Sequence, residues 1–253
     1  IIHARISFNR LPGKVLKKIL GKSLIEHQLS RVKRSKYIEK IVVATSDAHE
    51  DDAIEDVCLK LGVSCYRGSL DNVLERFYRA ALEYKPVHVI RLTGDCPLSD
   101  PEVIDDLVQY YLESDCDYAA NCVKAHYPDG LDAEVFSFKV LEETYKNAQL
   151  PSQLEHVTPY IRECEFYQIA HFEPEFDYSH LRWTVDEPED FILVKNIFES
   201  LFPKDENFSW HDVLDLLAIN KELGKINRQF QRNEGYLKSI EKDQSLKERN
   251  ESD

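Results

Sequence analysis

The chain has 253 residues, of which 43% are hydrophobic and 31% are charged, and its formal net charge is −14 at pH 7. This length suits one large α/β domain or two small ones. The acidic balance argues against a nucleic-acid partner, because contacts to a phosphate backbone require a basic face. No run approaches the roughly 20 apolar residues of a membrane span and no signal peptide is recognisable, so we expect no membrane insertion.

The six cysteines show neither a C-x-x-C motif nor a paired framework. Without a recognisable secretory signal, such cysteines are expected to be reduced and mostly buried, and we predict a cytoplasmic location. Because the chain begins with Ile1 rather than Met, we expect further residues before it.

A short apolar run at the start of the chain opens into a loop that carries Arg5, Arg10, Gly13 and Lys14. The cations supply charge and the glycine permits close backbone approach, so such a loop at the end of a strand suits a polyanion. Neither a Walker A motif nor a G-x-G-x-x-G fingerprint is present. From spacing alone, a basic surface loop before a helix is an equally good interpretation.

Positive charge is concentrated at this end of the chain. Residues 1–40 carry a balance of +9, whereas the rest of the chain carries −23. A local basic patch within an acidic protein suits a small polyanion such as a nucleoside triphosphate. Four of the basic residues are better explained as one solvated helix face, namely Arg31, Lys33, Arg34 and Lys36.

Short apolar runs then alternate with amphipathic stretches as far as residue 120. The predicted strands after the first are Ile41–Ala44, Val63–Tyr66, Val87–Leu92 and Tyr118–Ala120. A helix is predicted over 70–81 with Ser69 as its cap, and another begins at Pro101 with Asp100 as its N-cap.

This alternation predicts a mostly parallel sheet with helices on both faces and right-handed crossovers. Ligands of such sheets bind at the carboxyl ends of the strands. The loop at 5–14, the loop at 93–97 and the turn near Ser46 are therefore expected on one rim.

After residue 120 the alternation breaks. The predicted strands are 134–138, 166–172 and 181–185, and the predicted helices are 139–148, 152–162, 188–201 and 210–223, with Gly224 as the last C-cap. We predict one domain over 1–240, divided into a nucleotide-binding half (1–120) and an acceptor and oligomerisation half (121–240). Residues 241–253 are predicted to be a frayed, charged tail.

Two aspartates follow predicted strands. Asp95 lies in the turn after the strand that ends at Leu92, where a carboxylate either holds Mg²⁺ or closes an Asx turn. Asp186 precedes a predicted helix and by itself is typical of a helix cap. A third candidate is the D-x-D motif of Asp115 and Asp117, which many glycosyltransferases use to hold a metal, but a helix end also attracts such charged residues.

Ala4-Arg5 followed by Arg10–Lys14 resembles the opening loop of the cytidylyltransferases that activate acidic sugars. The resemblance is strongest to the SpsF-type proteins of spore-coat and surface polysaccharide synthesis and weaker to the 3-deoxy-manno-octulosonate cytidylyltransferases. It recurs along most of the chain, at 93–97, 127–135, 155–160, 182–190 and 232–239. The chain departs from the pattern at Phe8 and Asn9, where small hydroxyl residues are more typical.

The resemblance implies a three-layer α/β/α nucleotide-diphospho-sugar transferase fold, Rossmann-like, with a mostly parallel mixed sheet. It implies transfer of CMP from CTP to an acidic sugar or related acidic acceptor, with release of pyrophosphate, by a homodimer. Mg²⁺ would be held by Asp95 and Asp186, and Arg10 and Lys14 would neutralise the leaving pyrophosphate. Loss of Lys14 is expected to lower turnover by orders of magnitude with little loss of stability.

The resemblance also suggests two sets of binding residues. The nucleotide set is Ala4, Arg5, Leu11, Gly13, Arg76, Thr93 and Gly94. The acceptor set is Tyr127, Asp132, Glu134, His156 and Arg182. Several of these residues have a structural alternative. Arg76 would form a surface salt bridge, and Asp132 and Glu134 would belong to an acidic turn. His156 would either contact an acidic acceptor or shuttle a proton, or else form a hydrogen bond to backbone or a carboxylate. The segment 232–239 has no predicted role beyond docking the terminus.

Two other classes of function stay open. A glycosyltransferase of similar fold would consume a nucleotide sugar and bind its metal through Asp115 and Asp117. A non-catalytic assembly protein would keep the fold but has no need for all four of Arg10, Lys14, Asp95 and Asp186.

Overall fold

A central mixed sheet organises the molecule, which we describe from a computed structural model at residues 1–7 and 10–250. The departures at Phe8 and Asn9 lie outside the described residues. In chain order the strands are β1 (Ile2–His3), β2 (Lys18–Ile19), β3 (Lys22–Ser23), β4 (Val42–Ser46), β5 (Ser64–Gly68), β6 (His88–Thr93), β7 (Tyr118–Ala120), β8 (Glu134–Ser137) and β9 (Ile169–His171). Within the described residues, seven of them form one sheet in the order β5-β4-β1-β6-β8-β7-β9, and β2 pairs with β3 separately.

The helices cover this sheet. They are α1 (Leu24–Val32), α2 (Asp52–Leu61), α3 (Val73–Tyr84), α4 (Pro101–Glu113), α5 (Phe138–Asn147), α6 (Pro151–His156), α7 (Pro159–Glu163), α8 (Pro188–Leu201), α9 (Trp210–Ile219) and α10 (Glu234–Asn250). In the described part of the chain, none is long and apolar enough to cross a membrane. The six cysteines are unpaired; two are buried and four are half-buried.

Each face of the sheet carries its own apolar core. On one face, Ile2, Val43 and Leu92 pack against α1, α2 and α4. On the other, Val89 and Phe136 pack against α3 and α5. The predicted three-layer α/β/α architecture is thereby confirmed. A third cluster lies beyond the sheet and joins α8 and α9 to β2 around the fully buried Trp183, Ile19 and Phe198.

One strand, β8, runs against the direction of its neighbours. It is antiparallel to both β6 and β7, whereas the other pairs in the sheet are parallel. Its first residue, Glu134, therefore lies opposite Arg91 and Ala120, near the carboxyl ends of β6 and β7. The start of β8 thus joins the same edge of the sheet as the ends of β1, β4 and β6.

Local sequence explains some element boundaries and not others. Asp100 caps α4 by accepting a hydrogen bond from the Glu102 N–H, as predicted. The predicted cap Ser69 is wrong, because the side chain that caps α3 is that of Asn72. The single helix predicted over 152–162 is wrong as well: it is divided into α6 and α7 at Val157, whose φ is +71°.

The C-terminal region differs most from the prediction. The stretch 181–185 forms no strand; only a bridge joins Arg182 to Asp129. The predicted helix over 210–223 ends at Ile219, and Gly224 lies in a later 3₁₀ turn. The predicted frayed tail from 241 is wrong up to residue 250, because that stretch continues α10.

The prediction of four solvated cations at the start of the chain is wrong for Arg31. Its guanidinium is 4% exposed and donates to the Ser99 and Phe208 carbonyls and to Asp100. It also lies 4.5 Å from the centre of the Phe208 ring. Burial lowers the pKa of Arg31 to about 10, so the group stays charged at neutral pH. This cation ties α1 to α4 and to the segment before α9.

We expect Arg31→Ala to lower the free energy of unfolding by about 3–5 kcal/mol, because it removes the buried counter-ion of the Asp100 carboxylate and leaves two carbonyls without their donor. Arg34→Ala is the matched control, in the turn just after α1; Arg34 makes solvent-exposed hydrogen bonds to Asn207 and should contribute about 1 kcal/mol or less. Urea denaturation of both variants measures the difference, and equal losses would contradict the buried role of Arg31.

Candidate active site

A cleft of about 590 Å³ opens at the carboxyl ends of β1 and β6 and the start of β8. Most of the predicted site residues line it, although they come from distant parts of the chain. They are Arg5, Arg10, Lys14, Arg76, Thr93, Asp95, Asp132, Glu134, His156, Arg182 and Asp186. These side chains therefore meet at the carboxyl edge of the sheet, where the sequence predicts that a ligand binds.

The basic loop after β1 is held by a buried carboxylate that sequence reasoning missed. Asp51 is 1% exposed and accepts hydrogen bonds from the Ile6 N–H, at 2.6 Å, and from the backbone and hydroxyl of Ser46. The turn after β4 thereby fixes the loop. Gly13 adopts a φ of +66°, which glycine reaches without steric cost, and starts the 3₁₀ turn that carries Lys14.

Lys14 is the central side chain of the cleft. It is 1% exposed, and its Nζ donates to Asp95 Oδ2 at 3.0 Å and to Asp186 Oδ1 at 2.6 Å. Burial alone would lower the pKa of Lys14, but the two carboxylates outweigh it and raise the pKa. Burial likewise works to raise the pKa of Asp95, yet the Lys14 ammonium holds it well below its ordinary value. Lys14 and Asp95 are thus both charged at neutral pH.

Two guanidinium groups bind the other oxygen of the Asp186 carboxylate. Arg10 lies 3.1 Å from Oδ2, and Arg182 donates to the same oxygen at 3.1 Å. Arg182 also binds the buried Asp190 and donates to Asp129 at 2.8 Å. Because these carboxylates occupy its guanidinium, the geometry favours a positioning role for Arg182 over the predicted contact with an acceptor.

Asp95 and Asp186 could hold a divalent cation. Both carboxylates reach one nitrogen atom, so their oxygens converge on a single point, and Mg²⁺ commonly takes one or two protein carboxylates with phosphate and water as its other ligands. Among the described residues, no three His, Cys, Asp or Glu side chains form a metal-binding group. Asp95 and Asp186 therefore suit a cation whose other ligands are phosphate oxygens and water.

Glu134 lines the cleft, but both of its carboxylate oxygens already bind other side chains. It binds Arg91 and accepts hydrogen bonds from the Tyr118 hydroxyl at 2.5 Å and the Thr158 hydroxyl at 2.6 Å. Burial works to raise the pKa of Glu134, but Arg91 and Arg162 overcome it and lower the pKa. This carboxylate therefore fixes the surrounding side chains, and its predicted acceptor contact is not favoured by the geometry.

His156 ends α6 within the cleft. Its Nε2 lies 3.0 Å from the Ser239 hydroxyl oxygen, and that hydroxyl donates to Glu155 at 2.9 Å. Because the hydroxyl has a single proton, Nε2 is the donor and Nδ1 carries the lone pair. Burial, with Arg91 next, lowers the pKa of His156 to about 4. The imidazole is thus neutral near pH 7, which favours a hydrogen-bond acceptor over the predicted proton shuttle.

Arg76 does not form the surface salt bridge that sequence reasoning left open. It is 1% exposed, donates to the Ser69 carbonyl and faces the cleft with a buried Nε that has no hydrogen-bond partner in the structure. Burial lowers its pKa to about 10, so it enters the cleft as a cation. A buried cation with spare donor capacity suits an anionic ligand.

Other predicted residues shape the cleft without lining it. Leu11 and Tyr127 belong to the core around Trp183, and Tyr127 offers only its carbonyl, to Arg232. Gly94 packs on Ala4 so closely that an added Cβ would lie 2.7 Å from the Ala4 Cβ. The predicted contact of the Tyr127 side chain with an acceptor is therefore corrected to a packing role.

The D-x-D motif lies at the other edge of the sheet. Asp115 and Asp117 precede β7, whereas the cleft lies where β7 ends, and neither residue lines it. Asp117 instead accepts a hydrogen bond from the Gln168 N–H. The motif stabilises the start of a strand and takes no part in the cleft.

Comparison with known proteins agrees with this geometry. The profile of a family described as Cytidylyltransferase matches residues 1–233. The spore coat polysaccharide biosynthesis protein SpsF of Bacillus subtilis is 36% identical over 207 residues, which cover 79% of this chain and 85% of that protein.

Solved structures give the same picture. A cytidylyltransferase from Leptospira borgpetersenii superposes with a TM-score of 0.84 at 30% identity, over 91% of this chain and 96% of that one. A CMP:2-keto-3-deoxy-manno-octonic acid synthetase in complex with CTP superposes with a TM-score of 0.61 at 20% identity, over 79% of this chain and 97% of that one, and so shares the fold. The chain belongs to the cytidylyltransferase family.

We expect Lys14→Met to lower turnover by orders of magnitude and, contrary to the expectation from sequence, to destabilise the fold by about 2–3 kcal/mol. The reason is that Asp95 and Asp186 lose the ammonium that neutralises both of them. Millimolar Mg²⁺ should then raise the melting temperature of the variant more than that of the wild type. Adding Asp95→Asn should abolish this excess response, and an equal Mg²⁺ response in wild type and Lys14→Met would contradict the assignment.

His156 should make the fold sensitive to acid. Its pKa is about 4 in the folded protein against an ordinary 6.5, so its contribution to stability is present above pH 6.5 and is lost as the pH falls towards 4. Glu155, Arg91, Arg162 and Glu134 face the ring and set this balance.

Urea denaturation between pH 7 and pH 4.5 should therefore show the wild type losing stability relative to His156→Gln, which cannot be protonated. If the free energy of unfolding changed equally with pH in the two proteins, the imidazole of His156 would not be held neutral.

Proposed function

We propose that this chain transfers CMP from CTP to an acidic sugar with release of pyrophosphate, in the synthesis of surface polysaccharide. Membership of the cytidylyltransferase family supports the reaction class. The names of the relatives support the acceptor class, since one is a spore-coat polysaccharide protein and another a synthetase that activates an acidic sugar. The observation that carries the proposal is the buried Lys14 between Asp95 and Asp186 at the carboxyl edge of the sheet.

The reaction is an in-line displacement at the α-phosphorus of CTP. An acceptor hydroxyl oxygen forms the new P–O bond, the bond to the β-phosphate oxygen breaks, and the hydroxyl proton leaves to solvent. Pyrophosphate departs with the electrons of the broken bond. The protein's task is to hold the two reactants in line and to neutralise the charge that develops on the leaving group.

Arg10 and Lys14 supply that neutralisation. Both cations lie between β1 and β2, and each is paired with an aspartate that a triphosphate would displace or share. Arg76 adds a third cation, which like Lys14 is buried, beside this loop. A polyanion is thus met by charges already held in place, so little reorganisation is needed when it binds.

Mg²⁺ is the cofactor in this proposal. Asp95 and Asp186 would hold it, and the bound ion would offset negative charge on the phosphate oxygens. The resemblance to the family further suggests a homodimer. Six unpaired cysteines suit a reducing compartment, so we place the protein in the cytoplasm.

The acceptor lies at the end of the cleft formed by β8, α6 and α7. His156, neutral near pH 7, can accept a hydrogen bond from an acceptor hydroxyl through Nδ1. Asp132 lines the same region but is paired with Arg232 at 2.5 Å. The imidazole is therefore the group best placed to orient the hydroxyl, while Asp132 orders the surrounding backbone.

CTP with Mg²⁺ should stabilise the protein by about 2.7 kcal/mol at 100 times its dissociation constant, which corresponds to a rise of several degrees in melting temperature. UTP, GTP, ATP and UDP-sugars should give smaller shifts. Asp95→Asn should lose the CTP response, whereas Asp115→Asn, a matched change outside the cleft, should keep it.

Stabilisation by UDP-sugars alone, with sensitivity to Asp115→Asn, would instead point to a glycosyltransferase. No response to any nucleotide would point to a scaffold protein.

A further inference from the structure

The C-terminal helix lies outside the matched family profile and yet forms one wall of the cleft. The profile ends at residue 233, and α10 begins at Glu234. The residues that α10 contributes to the cleft are Glu234, Gly235, Tyr236, Lys238, Ser239 and Lys242. The part of the chain that the family profile matches therefore lines only part of this cleft.

Buried polar contacts hold α10 on α6. Asp243 is 4% exposed and accepts a hydrogen bond from the Ser152 N–H at 2.9 Å. The residue before α6 is Leu150, whose side chain has no oxygen to cap the helix, so Asp243 supplies that acceptor from another helix. One turn earlier, Ser239 is 1% exposed and joins His156 to Glu155.

The segment that leads into α10 is tied to the rest of the cleft. Arg232 pairs with Asp132 at 2.5 Å and donates to the Tyr127 carbonyl. Glu234 pairs with Arg10 of the basic loop at 3.3 Å. The helix therefore runs from the loop expected to meet the triphosphate to α6 at the acceptor end, with its position fixed at both places.

The cleft-facing side of α10 brings positive charge to the acceptor end. Lys242 is paired with Glu155 at 3.8 Å, whereas Lys238 forms no ion pair with any described residue. Beside it, the Tyr236 ring lies 5.1 Å from the Arg162 guanidinium, whose Nε is buried without a hydrogen-bond partner in the structure. This end of the cleft therefore holds cationic donors that have capacity for an anion.

We propose that α10 is the wall of the acceptor subsite and that Lys238 selects acceptors carrying a carboxylate. The inference rests on the proposed nucleotidyl transfer and adds the residue that sets its acceptor class. Lys238 acts on binding of the acceptor, since the reacting phosphate lies at the other end of the cleft, beside Lys14. Its loss should therefore raise KM for an acidic acceptor and leave kcat nearly unchanged.

The test is pyrophosphate release at saturating CTP with two acids, 3-deoxy-manno-octulosonate and N-acetylneuraminate, and with the carboxamide of each. The wild type should turn over at least one acid with a KM well below that of its amide. Lys238→Ala should raise the KM for this acid about tenfold, the factor expected for one charge-assisted contact, and leave the KM for the amide unchanged.

Two controls separate this effect from general changes. Lys221→Ala makes the same change of charge at an exposed site away from the cleft, and Glu241→Ala alters an exposed residue of α10 that does not line it. Both should keep the wild-type KM. An unchanged KM in Lys238→Ala, or an equal rise for acid and amide, would overturn the role of Lys238.

Failure at the level of the proposed function gives a different result. If CTP stabilises the wild type but neither acid is turned over, both the acidic acceptor and the role of Lys238 are contradicted. The assignment of the nucleotide-binding half of the site is then retained. If CTP does not stabilise the wild type, the nucleotidyl transfer itself is wrong.

Discussion

The cleft depends on one buried ammonium that neutralises two carboxylates. Lys14 comes from the loop after β1, Asp95 from the turn after β6 and Asp186 from the segment before α8, so their ion pairs join three distant parts of the chain. Asp95 and Asp186 lie close enough for both to contact one nitrogen atom, and they would repel one another if no cation lay between them. The same arrangement that makes the site attractive to a metal–nucleotide complex therefore also holds it together without ligand.

The direction of β8 determines what surrounds this centre. In a wholly parallel sheet the start of that strand would lie at the opposite edge, and Asp132 and Glu134 would be far from Asp95. Because β8 is antiparallel, its first residues join the ends of β1 and β6, and α6 and α7 follow on the same side. One reversed strand thus brings the second half of the chain to the edge where the first half presents its cations.

Much of this arrangement could be predicted, because strand ends and their turns carry a strong local pattern. The loop with Lys14 and the turn with Asp95 follow apolar runs directly, and parallel strands bring such ends together. The burial of Arg31 could not be predicted, since a cation in an amphipathic helix has the same pattern whether it faces water or a buried carboxylate. The sequence predicted that 232–239 docks the terminus but not that the helix continues beyond 241, because Ser239 and Asp243 hold α10 through polar contacts, which leave no apolar periodicity.

The two ends of the cleft are formed by different parts of the chain. Lys14, Asp95 and Asp186 lie within residues 1–233, the stretch that the family profile matches, whereas α10 lines the far end of the cleft. Within α10, Glu234 pairs with Arg10 beside the ion-paired centre, whereas Lys238 and Lys242 lie at the far end of the cleft. Substitutions at Lys238 or Lys242 can therefore change the far end of the cleft while the ion pairs of Lys14 stay intact.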